Sequence, residues 1–278
     1  MIPIGTIGSH GMAMPKLGLG TWKMLGAECE ASVARAITLG YRHIDTAAMY
    51  DNEDAVGAGI AASGLPRGDI FLTTKVWHEN LAPDAMRRSI ETSLGKLKTG
   101  YVDLFLIHWP SPSMNLKAAL ETMANLKAEG LIRNAGVANF TVPLLRQAVE
   151  TIGADIACNQ IEYHLLLDQS LVLDYARSQG IAIIAYCPLA QGRLADYSDL
   201  AGIAAKHGVT TAQVALKYLL DQEGVAAIPK AAREESQRAN LAALAIPLDD
   251  EDRAVIAALP KNHRFINPSF APEWDRAA

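Results

Sequence analysis

Cysteine is scarce in this 278-residue sequence: Cys29, Cys158 and Cys187 are an odd number, lie far apart and form no CxxC pair. That usage fits free, buried thiols in a reducing compartment and excludes both a disulfide framework and a cysteine-based zinc set. Positive charge is also short, with 25 Lys and Arg against 30 Asp and Glu and a net charge of -5. No basic cluster offers nucleic acid or an anionic membrane a footprint. Long apolar runs are missing. The densest, such as 181–186, falls far below the roughly 20 residues that span a bilayer. The start, MIPIGTIGSHG, has neither the basic stretch nor the apolar core of a signal peptide, so a cytoplasmic protein is expected. Seven histidines show no metal-ligand spacing such as HExxH, and no metal is expected. The sequon Asn139-Phe-Thr141 then reads as chance.

No Ser/Gly-rich linker, charge block or low-complexity stretch divides the chain, so a single domain over residues 1–278 is expected. Half the residues are hydrophobic and 20% are charged, which excludes a disordered chain and supplies a core that needs no staples. Short apolar, β-prone runs recur at 16–22, 42–47, 70–77, 102–109, 133–140, 155–162, 181–187 and 225–230. Between them lie segments of helical period, as at 84–98, where Met86, Ile90, Leu94 and Leu97 share one stripe. Gly130, Gly153 and Gly180 stand just before strand runs, where a helix-ending glycine belongs.

Eight strand runs joined by crossovers of helical length imply parallel pairing. In a chain near the roughly 250-residue norm, this pattern predicts a closed (β/α)8 barrel of the TIM type. An open doubly wound sheet is the competitor. The longest crossover, 188–224, holds two helical stretches, 198–207 and 210–221, so one is an extra helix. Ahead of the first unit, IPIGTI, the turn GSHG and MAMPKL read as a β-hairpin able to plug the barrel's N-terminal mouth.

Working groups in such barrels sit where strands end. The runs end in Asp45, Lys75, His108, Asn139, Gln160, Tyr186 and Lys230, and Tyr50 lies five residues past Asp45. Asp45, Lys75 and His108 come from consecutive strands, so they should meet. A tyrosine hydroxyl with a pKa near 10 is a poor acid at neutral pH. An adjacent ammonium from Lys75, kept charged by Asp45, is expected to lower that pKa and make Tyr50 a general acid toward a carbonyl oxygen. His108 is placed to orient the carbonyl. A structural Asp45–Lys75 ion pair and a core histidine are the plainer readings of the same residues.

The motifs LGLGTW (17–22), YRHIDTAAMYDNE (41–53), TTKVW (73–77), YVDLFLIHWP (101–110), GVANF (136–140), NQIEYH (159–164) and IPK (228–230) resemble the aldo-keto reductase family over essentially the whole chain. The short loops and the ending APEWD are most similar to bacterial 2,5-diketo-gluconate and methylglyoxal reductases. The resemblance implies a catalytic tetrad of Asp45, Tyr50, Lys75 and His108, with Tyr50 as the acid. It implies a nicotinamide cofactor held by Gly20, Thr21, Asn139, Gln160, Tyr186, Leu189, Lys230 and Arg233, with Tyr186 stacked on the ring. NADPH is expected, and NAD as a weaker second. The chain departs from the family pattern at Ala138, Ala231 and Ser236, where Ser, Ser and Arg are usual. The missing pair after IPK leaves Lys230 and Arg233 as partners for a 2′-phosphate, with Arg238 on the following helix.

Trp22, Trp77 and Trp109 sit at strand ends, where a substrate pocket needs apolar walls beside His108. Phe265, Phe270 and Trp274 in the tail either fold over that pocket or dock loosely. The stretch 57–62 (GAGIAA) matches a dinucleotide-binding glycine pattern but falls inside a helical segment, where small residues serve helix packing. The expected protein is a monomer that reduces small carbonyl compounds. Two other readings use the same residues: a Schiff-base lyase acting through Lys75, and a non-catalytic cofactor-binding redox sensor.

Overall fold

The computed structural model describes residues 4–275. Strands β1 (Thr6–Ser9) and β2 (Met12–Pro15) pair antiparallel as the expected hairpin; Ile2 and Pro3 of its first arm lie outside the described residues. Eight parallel strands follow: β3 (Leu19–Gly20), β4 (His43–Asp45), β5 (Phe71–Val76), β6 (Val102–Ile107), β7 (Ile132–Ala138), β8 (Cys158–Glu162), β9 (Ala182–Tyr186) and β10 (Val225–Ala227). Seven of them fall within a run named above, and the eighth, β7, begins one residue ahead of the run at 133–140. They pair in sequence order, and the sheet closes on itself through parallel bridges Leu17–Ala227 and Gly20–Lys230. The closed barrel excludes the open sheet. Gly20 is needed at the seam, because a Cβ there would lie 2.6 Å from the Ile228 carbonyl oxygen.

Helices α1 (Gly26–Leu39), α2 (Glu53–Ala62), α3 (Pro83–Leu97), α4 (Leu116–Ala128), α5 (Val142–Arg146), α6 (Ser170–Ser178), α7 (Ser198–His207), α8 (Thr211–Leu220), α9 (Glu234–Ala242) and α10 (Asp250–Ala257) follow the strands. The long crossover does hold two, α7 and α8. The second is opened by a capping box, with Thr210 bonded to the Gln213 amide and the Gln213 side chain bonded back. The crossover after β7 is less regular than its sequence suggests, since α5 runs into a π-helical turn over Gln147–Thr151. Gly130 and Gly180 adopt the left-handed backbone (φ 81° and 67°) that ends α4 and α6.

Alternation along the strands builds two cores. Outward-facing Leu72, Phe105, Ile107, Val137, Ile161 and Ile183 pack against the helices. Inward-facing Phe71, Leu104, Leu106, Cys158, Ala182 and Ile184 fill the barrel, and Ile7, Met12 and Met14 of the hairpin seal its floor. The inward series then changes character toward the rim. Phe71 is followed two and four residues on by Thr73 and Lys75, Cys158 by Gln160 and Glu162, and Ile184 by Tyr186. An apolar plug below and polar groups above follow from one two-residue period.

Candidate active site

Asp45, Lys75 and His108 end three adjacent strands, and Tyr50 closes a single 3₁₀ turn (Ala48–Tyr50) over the first of them. Lys75 is fully buried, with its Nζ 2.5 Å from Asp45 Oδ1, 2.8 Å from the Thr46 carbonyl oxygen and 3.3 Å from the Tyr50 hydroxyl. Burial pulls the Lys75 pKa down, but Asp45 and Tyr50 more than offset it, and the net direction is up. The lysine therefore stays charged and cannot act as a free amine nucleophile, which removes the Schiff-base reading.

Tyr50 departs from expectation. Burial pushes its phenol above the ordinary value of 10, and the pull of Lys75 in the opposite direction does not cancel it. Sequence shows which charge will be adjacent but not how completely water is excluded, and here exclusion wins. His108 is buried, with its pKa driven well below 6.5 by burial, by the Lys75 charge and by His78. Its Nδ1 is enclosed without a hydrogen-bond partner. The ring is a neutral hydrogen-bond donor or acceptor and not an imidazolium.

A second group of polar side chains braces the first. Gln160 Nε2 donates to Asp45 Oδ2 at 2.8 Å; because a carboxylate only accepts, this fixes the amide orientation and leaves Oε1 free. Asn139, held at φ 61°, donates from Nδ2 to the His108 carbonyl oxygen (2.9 Å) and accepts from the Tyr186 hydroxyl (2.8 Å). It is buried, so the Asn139 sequon presents no accessible acceptor for a glycan. Thr21 donates its backbone N–H and hydroxyl to the Asp45 carbonyl oxygen, both at 3.0 Å. Leu189 is half-buried beyond β9. Lys230 and Arg233 are exposed, and neither side chain has a hydrogen-bond or ionic partner among the described residues. Arg238 instead pairs with Glu234 at 2.8 Å.

Aromatic rings ring the cluster. Trp22, 45% exposed, lies 4.8 Å from the Tyr50 ring, and Trp77 meets His108 edge-on at 5.2 Å. Trp109 is 5% exposed and packs beneath Phe270 (5.6 Å) and Trp274 (6.0 Å), so it supports the pocket wall from behind. The tail is docked at the rim, with Phe270 edge-on to Trp77 at 5.5 Å. Two contributors had no separate prediction from sequence. Asn52 accepts from the Thr46 hydroxyl and donates to the Thr21 and Met24 carbonyl oxygens, fixing the loop that carries Tyr50. Glu162 carries the same signal as Asp45, an acid ending an apolar strand, but stands two residues beyond Gln160. The glycines of 57–62 are packing residues: a Cβ on Gly57 would lie 2.7 Å from the Leu97 carbonyl oxygen, and one on Gly59 2.6 Å from that of Glu30.

Residues 16–261 match the model of the aldo/keto reductase family. The chain belongs to this family. It is 45% identical over 268 residues to methylglyoxal reductase DkgB of Escherichia coli O157:H7, covering 95% of this chain and 100% of that protein. Glyoxal reductase of Bacillus subtilis (strain 168) is 41% identical, with 92% of each chain covered. Among solved structures, a putative 2,5-diketo-D-gluconic acid reductase B superposes with a TM-score of 0.95 at 39% identity, covering 99% of this chain and 98% of the other. The protein is thus an oxidoreductase of carbonyl groups that works with a nicotinamide cofactor, which leaves no support for a non-catalytic sensor. No described helix is long and apolar enough to cross a membrane.

Proposed function

We propose that the chain is an NADPH-dependent reductase of small dicarbonyl and keto-sugar substrates, with Tyr50 as the proton donor. The observation that carries this reading is the Tyr50 hydroxyl 3.3 Å from a buried, charged Lys75 and beside a neutral His108. Asp45, Tyr50, Lys75 and His108 form the catalytic set, and the bound cofactor supplies the hydride.

The residues present suit such a cofactor. Gln160 Oε1 is free to accept, and Asn139 keeps one N–H and one lone pair, a set complementary to a carboxamide. Tyr186 presents a half-buried neutral ring at the strand end, its phenol pushed well above 10 by burial. Gly20, Thr21 and Leu189 border the same rim. Lys230 at the barrel seam and Arg233 just ahead of α9 are cations unpaired among the described residues, where a 2′-phosphate finds charge-assisted donors.

His108 would donate from Nε2 to the substrate carbonyl oxygen and hold it within reach of the Tyr50 hydroxyl, while Tyr186 would support the cofactor ring. As that carbon gains the hydride and its electron pair, negative charge develops on oxygen. Tyr50 transfers its proton there, giving the alcohol. The phenolate left behind is stabilised by Lys75, whose charge Asp45 holds in place, and it regains a proton from solvent. The high phenol pKa keeps the proton on Tyr50 until the oxygen becomes basic.

Trp22 and Trp77 wall a pocket narrowed by Phe270, with Trp109 backing it, and the loop 108–115 is too short to wrap a large ligand. Methylglyoxal and other compact carbonyls suit it. NADPH oxidation measured by absorbance against a panel of carbonyls tests the reading: methylglyoxal should exceed a steroid ketone in kcat/KM. Equal turnover of the two rejects the substrate class, and no turnover on any carbonyl rejects the function.

A further inference from the structure

Glu162 ends β8 and is fully enclosed, yet no step of the reduction uses it. It shares a strand face with Gln160 and stands opposite Tyr186 in the β8–β9 register. Its two oxygens are surrounded by donors. Oε1 accepts from the Phe265 backbone N–H at 2.7 Å and lies 3.1 Å from His164 Nε2. The Leu166 N–H donates to His164 Nδ1, which leaves Nε2 as the protonated nitrogen facing Glu162. Oε2 accepts from the Ile266 N–H at 3.0 Å and faces Arg264 at 3.8 Å. Three of these four partners belong to a tail more than a hundred residues further along the chain.

That tail carries the pocket wall. The Arg264 guanidinium lies 3.8 Å above the Trp274 ring, and Phe270 touches Trp77 and Trp109. At its far end Asp275 accepts from the Val142 N–H at 3.0 Å, at the start of α5. Between Ile266 and Asp275, the hydrogen bonds among described residues are internal to the tail: Ala271 N–H to the Pro268 carbonyl oxygen and Trp274 Nε1 to Asn267. Phe270 rests on Trp77, His78 and Trp109, and the backbone that presents it is fastened on either side, with Glu162 as the buried carboxylate anchor.

We infer that Glu162 is a positioning residue for the substrate: it anchors the tail so that Phe270 and Trp274 complete the carbonyl pocket. The strand that offers Gln160 to the nicotinamide thus also fixes the opposite wall. This inference rests on the carbonyl-reductase reading of the site.

The test is Glu162→Gln in the full chain. The amide keeps one accepting oxygen but turns an NH₂ group toward the other donors, so one tail N–H loses its partner and Arg264 loses its counter-charge. Hydrogen exchange at the Phe265 and Ile266 amides should accelerate about tenfold or more, as expected for loss of a bond to a charged group. The KM for methylglyoxal should rise about tenfold, while kcat and the NADPH dissociation constant stay within about twofold. Phe270→Ala should raise KM alike, and adding Glu162→Gln to it should change KM little further, because both act through one wall. Unchanged exchange, faster exchange with unchanged KM, or additive effects on KM overturn the inference. Faster exchange throughout the barrel with lowered kcat also overturns it, by assigning Glu162 a general structural role. A wild type inactive on every carbonyl rejects the reductase reading instead, while local exchange that still responds to Glu162→Gln supports the anchor.

Discussion

Replacing Tyr50 by phenylalanine removes one oxygen and little else. The ring keeps its contacts with Trp22 at 4.8 Å and His108 at 5.6 Å, and Lys75 keeps Asp45 and the Thr46 carbonyl oxygen. The lost contact with Lys75 is 3.3 Å long, so the stability cost should stay below about 1 kcal/mol. The proton donor is gone, and positioned acids contribute about 10²–10⁴-fold, or roughly 2.7–5.5 kcal/mol of transition-state stabilisation. His108 cannot replace it: neutral imidazole still offers a hydrogen bond but would have to become an anion to give up its proton. Steady-state kinetics should therefore show kcat falling about 10²–10⁴-fold, with the NADPH dissociation constant, read by tryptophan quenching, unchanged. The pH profile supplies an independent check. Reduction requires the protonated phenol, whose pKa lies above 10, so the rate should not decline on this account between neutrality and pH 10. Alcohol oxidation requires the phenolate and should rise with pH over that range, and the rise should vanish in the variant. A variant with kcat within about threefold of wild type, or one retaining the pH-dependent rise, refutes Tyr50 as the acid.

Three further outcomes follow from other parts of the molecule. His43 is fully buried in the barrel with its pKa lowered to about 4, chiefly by burial. Because the unfolded state binds this proton first, stability should fall as pH drops from 6.5 toward 4, by roughly 2 kcal/mol at pH 5. Urea denaturation of wild type and His43→Gln at pH 7 and pH 5 checks the sign, since the variant should lose less on acidification. Gly59→Ala should cost about 1–3 kcal/mol from overpacking against Glu30 and Val33 while leaving NADPH affinity intact; weakened cofactor binding at unchanged stability would restore a nucleotide role to that glycine pattern. Arg233→Ala and Lys230→Ala should each lower kcat/KM for NADPH relative to NADH by about tenfold, as expected for one bond to a charged group. If neither does so, the phosphate lies elsewhere.

Strand content was legible because an apolar run broken by turn residues leaves few alternatives, and all eight barrel strands lie within the runs so marked save for one residue, Ile132. Asp45, Lys75 and His108 stood out for the same reason, as polar groups ending runs too apolar to tolerate them by chance. Tyr50 needed the added inference that a residue just past a strand end hangs over it. The direction of its pKa was not legible, because adjacency of charge follows from strand order whereas desolvation depends on everything packed around the ring. The role of Glu162 was hidden by distance, since its partners are 103 and 104 residues away and use backbone N–H groups that every sequence possesses. The tail's aromatics were visible, but their docking on Trp77 and Trp109 was not.

Asn139 ties together strand ends that the sheet joins only one neighbour at a time. Its backbone N–H donates to the Gln160 carbonyl oxygen, while its side chain reaches His108 in one direction and Tyr186 in the other. One short residue therefore acts as a ruler across four consecutive strand ends, and its length sets the spacing between the His108 carbonyl oxygen and the Tyr186 hydroxyl. Loops above that brace can lengthen or change composition, and the tail can exchange its aromatics, without rescaling the distance below. What enters the pocket and how far apart the reacting partners are held thus become separately adjustable quantities. Even a one-carbon change at this position, Asn139→Gln, would alter the second without touching the first.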